Sequence, residues 1–227
     1  MALDWLLLVE RELLAFSAFW FCVGLIDELA VDLAYLWLRL KGRIVTPRLP
    51  VGYGAEPLSG LCAVMIPAFR ESQVIGATIA HMLASWPQRD LAIYVGCYRN
   101  DAATLAAAME AAGEDPRVRL VLLGASGPTT KADCLNRLYH ALCADEERQG
   151  RCFTNILLHD AEDMVHPCAL QAIDAALVLR DFVQLPVRPE PQERSRWISG
   201  HYSDEFAENH AKGMVVRDAL GASIPAA

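Results

Sequence analysis

Residues 61–187 alternate between short apolar runs and amphipathic stretches, and this alternation constrains the fold more than any other feature of the chain. The clearest apolar runs are residues 61–66, 91–97, 118–123 and 153–158. They have the length and composition of buried strands. The stretches between them have helical spacing and end at helix-terminating residues such as Pro87 and Gly113. Strands and helices in regular turn predict an α/β fold with a doubly wound, mainly parallel sheet and flanking helices.

The amphipathic stretches predict the positions of the helices. They lie at 72–86, 101–112, about 131–149, about 167–180 and about 197–220. A further apolar run, residues 182–187, is a candidate for a fifth strand.

The chain begins with a long apolar segment, residues 5–38, which contains the uninterrupted run 13–26. A membrane span needs about 20 apolar residues, and the acids Asp27, Glu28 and Asp32 shorten the clean run. We expect a membrane anchor rather than a core helix, and whether it spans the membrane or lies on it stays open. Basic residues follow directly: Arg39, Lys41, Arg43 and Arg48. Positive charge beside a span indicates the cytoplasmic side, so the remainder is expected in the cytosol.

Composition divides the chain and excludes several classes of protein. Residues 46–60 are rich in proline and glycine, which predicts an anchor at 1–45, a linker at 46–60 and a globular domain at 61–227. The net charge of −8 argues against a general nucleic-acid binder. Seven cysteines without a CxxC pair suggest neither a disulfide framework nor a zinc ribbon.

The run 153–158 is followed at once by three carboxylates within four positions, Asp160, Glu162 and Asp163. Carboxylate oxygens suit hard divalent ions, and Mg²⁺ prefers one or two protein carboxylates together with phosphate oxygens and water. This pattern predicts a metal site for a phosphorylated ligand. The alternative is that Asp160 or Asp163 only caps the following helix.

Polar residues follow all four predicted strands, and the carboxyl ends of parallel strands meet at one edge of a sheet. These segments are Pro67–Glu71, Arg99–Asp101, Gly127–Asp133 and Asp160–Asp163. Lys131 opens a helix beside the acids, which suits a diphosphate, although it is equally compatible with a plain surface lysine. A P-loop is disfavoured because Ala132 stands where that motif needs Ser or Thr, and the first turn has no GxGxxG.

Three segments resemble, in order and spacing, the nucleotide-sugar motifs of family 2 glycosyltransferases with the GT-A fold: Ala63–Glu71, Lys131–Asn136 and Asp160–Asp163. The resemblance covers about residues 60–227. It implies a nucleoside site formed by Pro67, Ala68, Arg70, Glu71 and Asp101. It also implies that Lys131 and Asp133 lie by the diphosphate or the sugar. Asp160 and Glu162 would take the DxD role with Mg²⁺ or Mn²⁺, and whether Glu162 or Asp163 is the second ligand stays open.

Two further segments, His159–Pro167 and Gly200–Glu208, resemble a bacterial inner-membrane branch of this family that is linked to phage adsorption. The resemblance implies a cytoplasmic, inverting, metal-assisted transferase that uses a nucleotide-diphospho-sugar, with a UDP-sugar favoured. It further implies a saccharide or lipid-linked acceptor, a role in surface glycan synthesis and an outer-envelope partner protein. The rival interpretations are a nucleotidyltransferase and a non-catalytic, membrane-tethered binding module.

The C-terminal residues depart from the family pattern. Family members carry a general base in a TED-like motif and a QxxRW acceptor motif after the segment that corresponds to Leu220–Ala227, and neither motif occurs here. The resemblance therefore predicts a C-terminally truncated fragment that binds donor without efficient transfer. We assign no catalytic residue within the chain and expect the base beyond Ala227.

Overall fold

The computed structural model describes residues 2–46, 48–50, 52–190 and 195–224, with only the backbone at 2–4. Pro47 and Val51 of the predicted linker lie outside the described residues, as do Met1, residues 191–194 and residues 225–227. The chain divides into two compact units, one formed by 49–183 and the other by 1–48 with 184–227.

The first unit is built on a parallel sheet, which in the described part of the chain has four strands. They are β1 (Leu61–Ala68), β2 (Leu91–Tyr98), β3 (Val118–Leu123) and β4 (Phe153–Leu158). The spatial order is β3-β2-β1-β4, and Ala63 of β1 lies between Ala92 of β2 and Ile156 of β4. β1 is almost entirely buried, as its continuous apolar sequence requires. The predicted α/β class with a parallel sheet is confirmed.

Helices cover both faces of this sheet. α2 (Ile75–Ser85), α3 (Ala102–Ala112) and α5 (Ala169–Leu177) pack on one face, in a core that includes Val64 and Ile79. α4 (Lys131–Gln149) packs on the other, through Leu138 and Leu142. Alternate residues of the central strand supply the two cores, because side chains of a strand point to opposite faces.

Most predicted elements of the first unit are confirmed, with corrections at their ends. α2 begins at Ile75 because residues 72–74 form a turn, and α3 begins after Asp101 because that carboxylate caps it. The helix predicted at 167–180 is limited to Ala169–Leu177. The fifth strand at 182–187 was wrong, since these described residues form no strand.

The second unit contains α1 (Ala2–Leu40), α6 (Arg196–Glu208), a π-helical stretch (Asn209–Gly213) and α7 (Met214–Leu220). The predicted helix at 197–220 is thus confirmed as a nearly continuous helix with a π-helical insertion. Lys212 pairs with Asp32 and Glu208, and the Arg43 guanidinium donates to the Ala219 carbonyl at 2.8 Å.

Within the described residues, Trp5–Leu40 is the one helix long and apolar enough to cross a membrane, and its apolar side chains are mostly exposed. Length and composition alone support the anchor. The structure groups 184–227 with this helix, whereas the sequence grouped it with the sheet. The domain boundaries 1–45, 46–60 and 61–227 stay a prediction.

Candidate functional site

The order of the strands creates a crevice between β1 and β4. From β1 the chain proceeds to β2 and β3 on one side, and β4 then pairs with the opposite side of β1. The order of the strands reverses at this pair, and open α/β sheets bind ligands at the carboxyl ends of the strands beside such a point. The His159 N–H still donates to the Met65 carbonyl at 3.0 Å, so the two strands stay joined up to the start of the crevice.

Two of the predicted site residues, Pro67 and Ala68, lie within β1 itself, opposite Gly96 and Cys97 of β2. Ala68 is buried in the core beneath the edge of the sheet. Arg70 follows with a positive φ of 62° and an exposed side chain, 5.2 Å from the Phe69 ring centre. The chain therefore turns sharply as it leaves the sheet.

Asp101 fixes that turn. Its Oδ2 accepts the Arg70 N–H at 2.5 Å, and its Oδ1 accepts the Thr104 N–H at 3.3 Å as the cap of α3. The Thr104 hydroxyl in turn accepts the Glu71 N–H at 3.0 Å. Burial alone would raise the pKa of Asp101, but the hydrogen bonds from Arg70 and Thr104 outweigh it and lower that pKa. The sequence did not single out Thr104, because its contact with Glu71 joins α3 to a loop that is distant in sequence.

A second cluster links the loops after β2 and β3. Asn100 both donates to the Gly127 carbonyl at 2.8 Å and accepts the Gly127 N–H at 2.7 Å. The Phe69 and Tyr98 rings meet edge to face at 5.2 Å, and a Cβ on Gly127 would lie 2.6 Å from the Tyr98 ring. The Tyr98 hydroxyl shares a hydrogen bond of 2.7 Å with Thr129. The sequence analysis included Asn100 only as part of the segment Arg99–Asp101 and did not name Tyr98, because neither contact leaves a spacing pattern.

The start of α4 lies beside the acids that follow β4. Thr130 caps the helix by accepting the Asp133 N–H at 3.1 Å. Lys131 Nζ lies 2.6 Å from Asp160 Oδ1, and both side chains are about half exposed. The structure thus brings together the lysine and the first acid that the sequence predicted.

Asp133 has partners close to itself in sequence. Its Oδ2 accepts the Arg137 Nε–H at 3.0 Å, one helical turn along α4. That hydrogen bond, helped by one from the Thr129 side chain, lowers the pKa of Asp133. The described contacts tie Asp133 to its own helix and its cap, and its predicted role beside the diphosphate or sugar stays a prediction.

The segment 159–163, which we call the acid loop, concentrates negative charge. Its Glu162 is exposed, and Asp160 and Asp163 are partly buried. Burial raises the pKa of Asp163, and so do the charges of Asp160 and Glu162, although His159 and Lys131 oppose them. Glu71, across the crevice, also has a raised pKa, caused first by burial and then by Glu162 and Asp101. The negative charges of Glu71, after β1, and of the acid loop therefore repel one another, and a bound cation would reduce that repulsion.

The carboxylates fit one kind of metal site and not another. Among the residues that the structure describes, no group of three or more His, Cys, Asp or Glu side chains could hold a metal ion by itself. The described part of the chain thus forms no all-protein cage for a metal ion. Partly exposed carboxylates beside a cationic helix start fit the other mode, in which one or two carboxylates and phosphate oxygens share Mg²⁺. Asp160, Glu162 and Asp163 remain the predicted ligands.

Comparison with known proteins identifies one family and two relatives. Residues 59–227 match the family described as "Glycosyltransferase like family 2". The chain is 32% identical over 227 residues to bacteriophage adsorption protein B of Escherichia coli strain K12. It is likewise 32% identical over 227 residues to bacteriophage N4 adsorption protein B of Escherichia coli O157:H7. Each match covers 98% of this chain and 30% of the relative, so the chain spans less than a third of the length of these curated relatives.

Proposed function

The chain belongs to glycosyltransferase-like family 2, and on that premise we propose that residues 61–183 form the donor half of a transferase that uses a nucleotide-diphospho-sugar. The observation that carries the proposal is the pair of Lys131 and Asp160 at the crevice between β1 and β4. A cation at a helix start beside a carboxylate suits a diphosphate with a divalent counter-ion.

The proposed donor lies across the carboxyl ends of the strands. Lys131 and the first N–H groups of α4 bind the diphosphate, since helix N-termini favour anions. The loop Phe69–Glu71, held in shape by Asp101, contacts the nucleoside. We favour a UDP-sugar.

Binding of the diphosphate requires the Lys131–Asp160 pair to separate or widen. Lys131 then neutralises the phosphate oxygens, and Asp160 becomes available together with Glu162 or Asp163 to hold Mg²⁺ or Mn²⁺. When bound, that cation supplies charge stabilisation to the departing nucleoside diphosphate. The carboxylates position it, and Lys131 stabilises negative charge that grows on the leaving group.

The proposed reaction is an inverting transfer, in which an acceptor hydroxyl attacks the anomeric carbon opposite the leaving diphosphate. The base that removes the hydroxyl proton is not assigned to this chain. The acceptor is a saccharide or a lipid-linked saccharide. A long apolar helix and relatives named for phage adsorption support a further proposal, a bacterial inner-membrane protein with a partner in the outer envelope.

Calorimetric titration tests the proposal on the 227-residue chain in detergent micelles. UDP is titrated in the presence of Mn²⁺, and the titration is repeated with EDTA and with Asp160→Ala. We expect Mn²⁺ to strengthen UDP binding at least tenfold, and the substitution to remove most of that gain, since a bound cation loses its main ligand.

Asp90→Ala is a matched control, because Asp90 forms a comparable exposed ion pair with Arg151 at the opposite ends of the strands. It should bind UDP like the parent chain. Equal UDP binding by the parent chain and Asp160→Ala, with folded samples in both cases, would contradict the donor site.

A further inference from the structure

One face of α2 contacts the backbone of the acid loop and of the segment that follows it. The Thr78 hydroxyl donates to the Ala161 carbonyl at 2.6 Å. Farther along the helix, His81 Nε2 lies 2.8 Å from the Val165 carbonyl. Trp86, which follows the end of α2, donates its indole N–H to the His166 carbonyl at 3.2 Å.

The acid loop and the two residues that follow it also have an apolar side that faces the core. Ala161 and Val165 are buried in the core formed by α2 and the sheet, whereas Glu162 and Met164 are exposed. The two buried apolar residues, Ala161 and Val165, lie on either side of the acids Glu162 and Asp163 in the sequence. The result is a segment whose inner side is bound to α2 and whose outer side carries carboxylates.

Thr78 makes the contact nearest to the acids. It is 1% exposed, and its acceptor, the Ala161 carbonyl, belongs to the residue between Asp160 and Glu162. A hydroxyl has one proton to donate, and the competing acceptor, the Val74 carbonyl in the turn before α2, is farther away at 3.2 Å. The hydrogen bond to the loop is therefore the stronger of the two.

We propose that Thr78 is a positioning residue for the acid loop. It holds the Ala161 carbonyl, and with it the backbone between Asp160 and Glu162, so that the carboxylates of these two residues converge on one cation. His81 and Trp86 hold the downstream end of the same segment. This inference rests on the proposed function, since it concerns the metal-dependent part of donor binding. Its physical basis is that ligand geometry must be held closely for tight binding of a small cation.

The test compares Thr78→Val with Thr78→Ser in the 227-residue chain. Valine preserves the shape of threonine and removes the hydroxyl, whereas serine keeps the hydroxyl. Tyr94→Phe is the matched control, because it removes a buried hydroxyl that donates to Asp145 at 2.9 Å in the core on the α4 face of the sheet. UDP affinity is measured with Mn²⁺ and with EDTA, beside the melting temperature of each variant.

We expect Thr78→Val to weaken UDP binding about tenfold in Mn²⁺ and less than twofold in EDTA. Thr78→Ser should restore the parent affinity within about threefold, and Tyr94→Phe should leave it unchanged. A purely structural role for Thr78 would lower affinity equally with and without metal. That result, or parent-like affinity for Thr78→Val, would overturn the inference.

Amide hydrogen exchange is a second measurement of the positioning role, and it needs no ligand. Thr78→Val should accelerate exchange in a peptide covering 159–168, whereas Tyr94→Phe should not. Unchanged exchange would refute the positioning role even where no variant binds UDP. If exchange accelerates but Asp160→Ala binds UDP like the parent chain, the proposed donor site fails and the structural link between α2 and the loop stands.

Discussion

Asp101 and Asp160 both follow a strand of the same sheet, yet the fold uses their carboxylates in opposite ways. Asp101 is 9% exposed, and its two oxygens accept N–H groups from Arg70 and Thr104. The side chain of Asp160 is 44% exposed and faces Lys131, a partner that can move away. The first carboxylate holds a loop in shape, and the second is available to a ligand.

The difference separates two kinds of polar residue that look alike in sequence. A carboxylate that accepts backbone N–H groups is part of the scaffold, because ligand binding would leave those donors unpaired. A carboxylate in an exposed ion pair can exchange partners at small cost. Asp101 therefore supports the proposed nucleoside site through the shape of its neighbours, and Asp160 supports the proposed diphosphate site through its own charge.

The largest effect is expected for Asp101→Asn. Asparagine offers one acceptor oxygen where two are used, so an amide NH₂ must face a backbone N–H, at a cost of about 2 kcal/mol in the free energy of unfolding. Asp160→Asn should change that free energy by less than about 1 kcal/mol. Urea denaturation followed by circular dichroism measures both. Equal losses of unfolding free energy in the two variants would contradict the distinction between Asp101 and Asp160.

A smaller effect is expected for Lys131→Met, which leaves Asp160 without its partner. UDP affinity in Mn²⁺ should fall about tenfold because the diphosphate loses a cation, whereas affinity for Mn²⁺ alone should rise about threefold. Arg148→Met is a control on the same helix, since Arg148 pairs with Asp145 at the far end of α4. Both affinities are read by calorimetry, and a fall in Mn²⁺ affinity would show that Lys131 does not compete with the cation.

The smallest effect concerns the pH dependence of stability. Because burial and neighbouring acids raise the pKa of folded Asp163, its ionisation opposes folding once the pH rises above the pKa of the unfolded chain. Asp163→Asn should therefore stabilise the protein by about 0.5 kcal/mol at pH 7, and this gain should vanish near pH 3, where the carboxyl is protonated in both states. Thermal unfolding at the two pH values measures this.

Asp101 should show the opposite sign. Its lowered pKa contributes stability above the pKa of the unfolded chain, and this contribution is lost as the pH falls through the folded value. Glu110→Gln, on the exposed side of α3, serves as a control for the removal of a surface carboxylate. A gain for Asp163→Asn that persisted at pH 3 would show that charge is not its cause.

The fold was predictable because the residues of most strands and helices show the apolar runs, spacing and end residues that are typical of those elements. The buried strands β1 and β2 are continuous apolar runs, whereas β4, which the sequence also predicted to be buried, leaves Ile156 and Leu158 exposed. The helix α4 begins and ends at the predicted residues because Thr130 caps its start and Gly150 its end. The run at 182–187 was misleading, since apolar composition alone says nothing about whether a sheet edge accepts another strand.

The candidate site was predictable only in part. The Lys131–Asp160 contact follows from the topology, which brings the loops after parallel strands to one edge. The roles of Thr78, Asn100 and Thr104 depend on contacts between side chains and the backbone of distant loops. Such contacts have no fixed spacing in sequence, so they emerge only when the loops are seen together.

The strand order also carries a consequence for how the chain reaches its native state. β1, β2 and β3 are neighbours in sequence as well as in space, whereas β4 must return to β1 from about 90 residues away. Closing that long loop is slow compared with local pairing, because its entropy is lost before any contact is gained. We expect the acid loop to be the last part of the sheet edge to form, so that its carboxylates come together beside Lys131 only when folding is nearly complete.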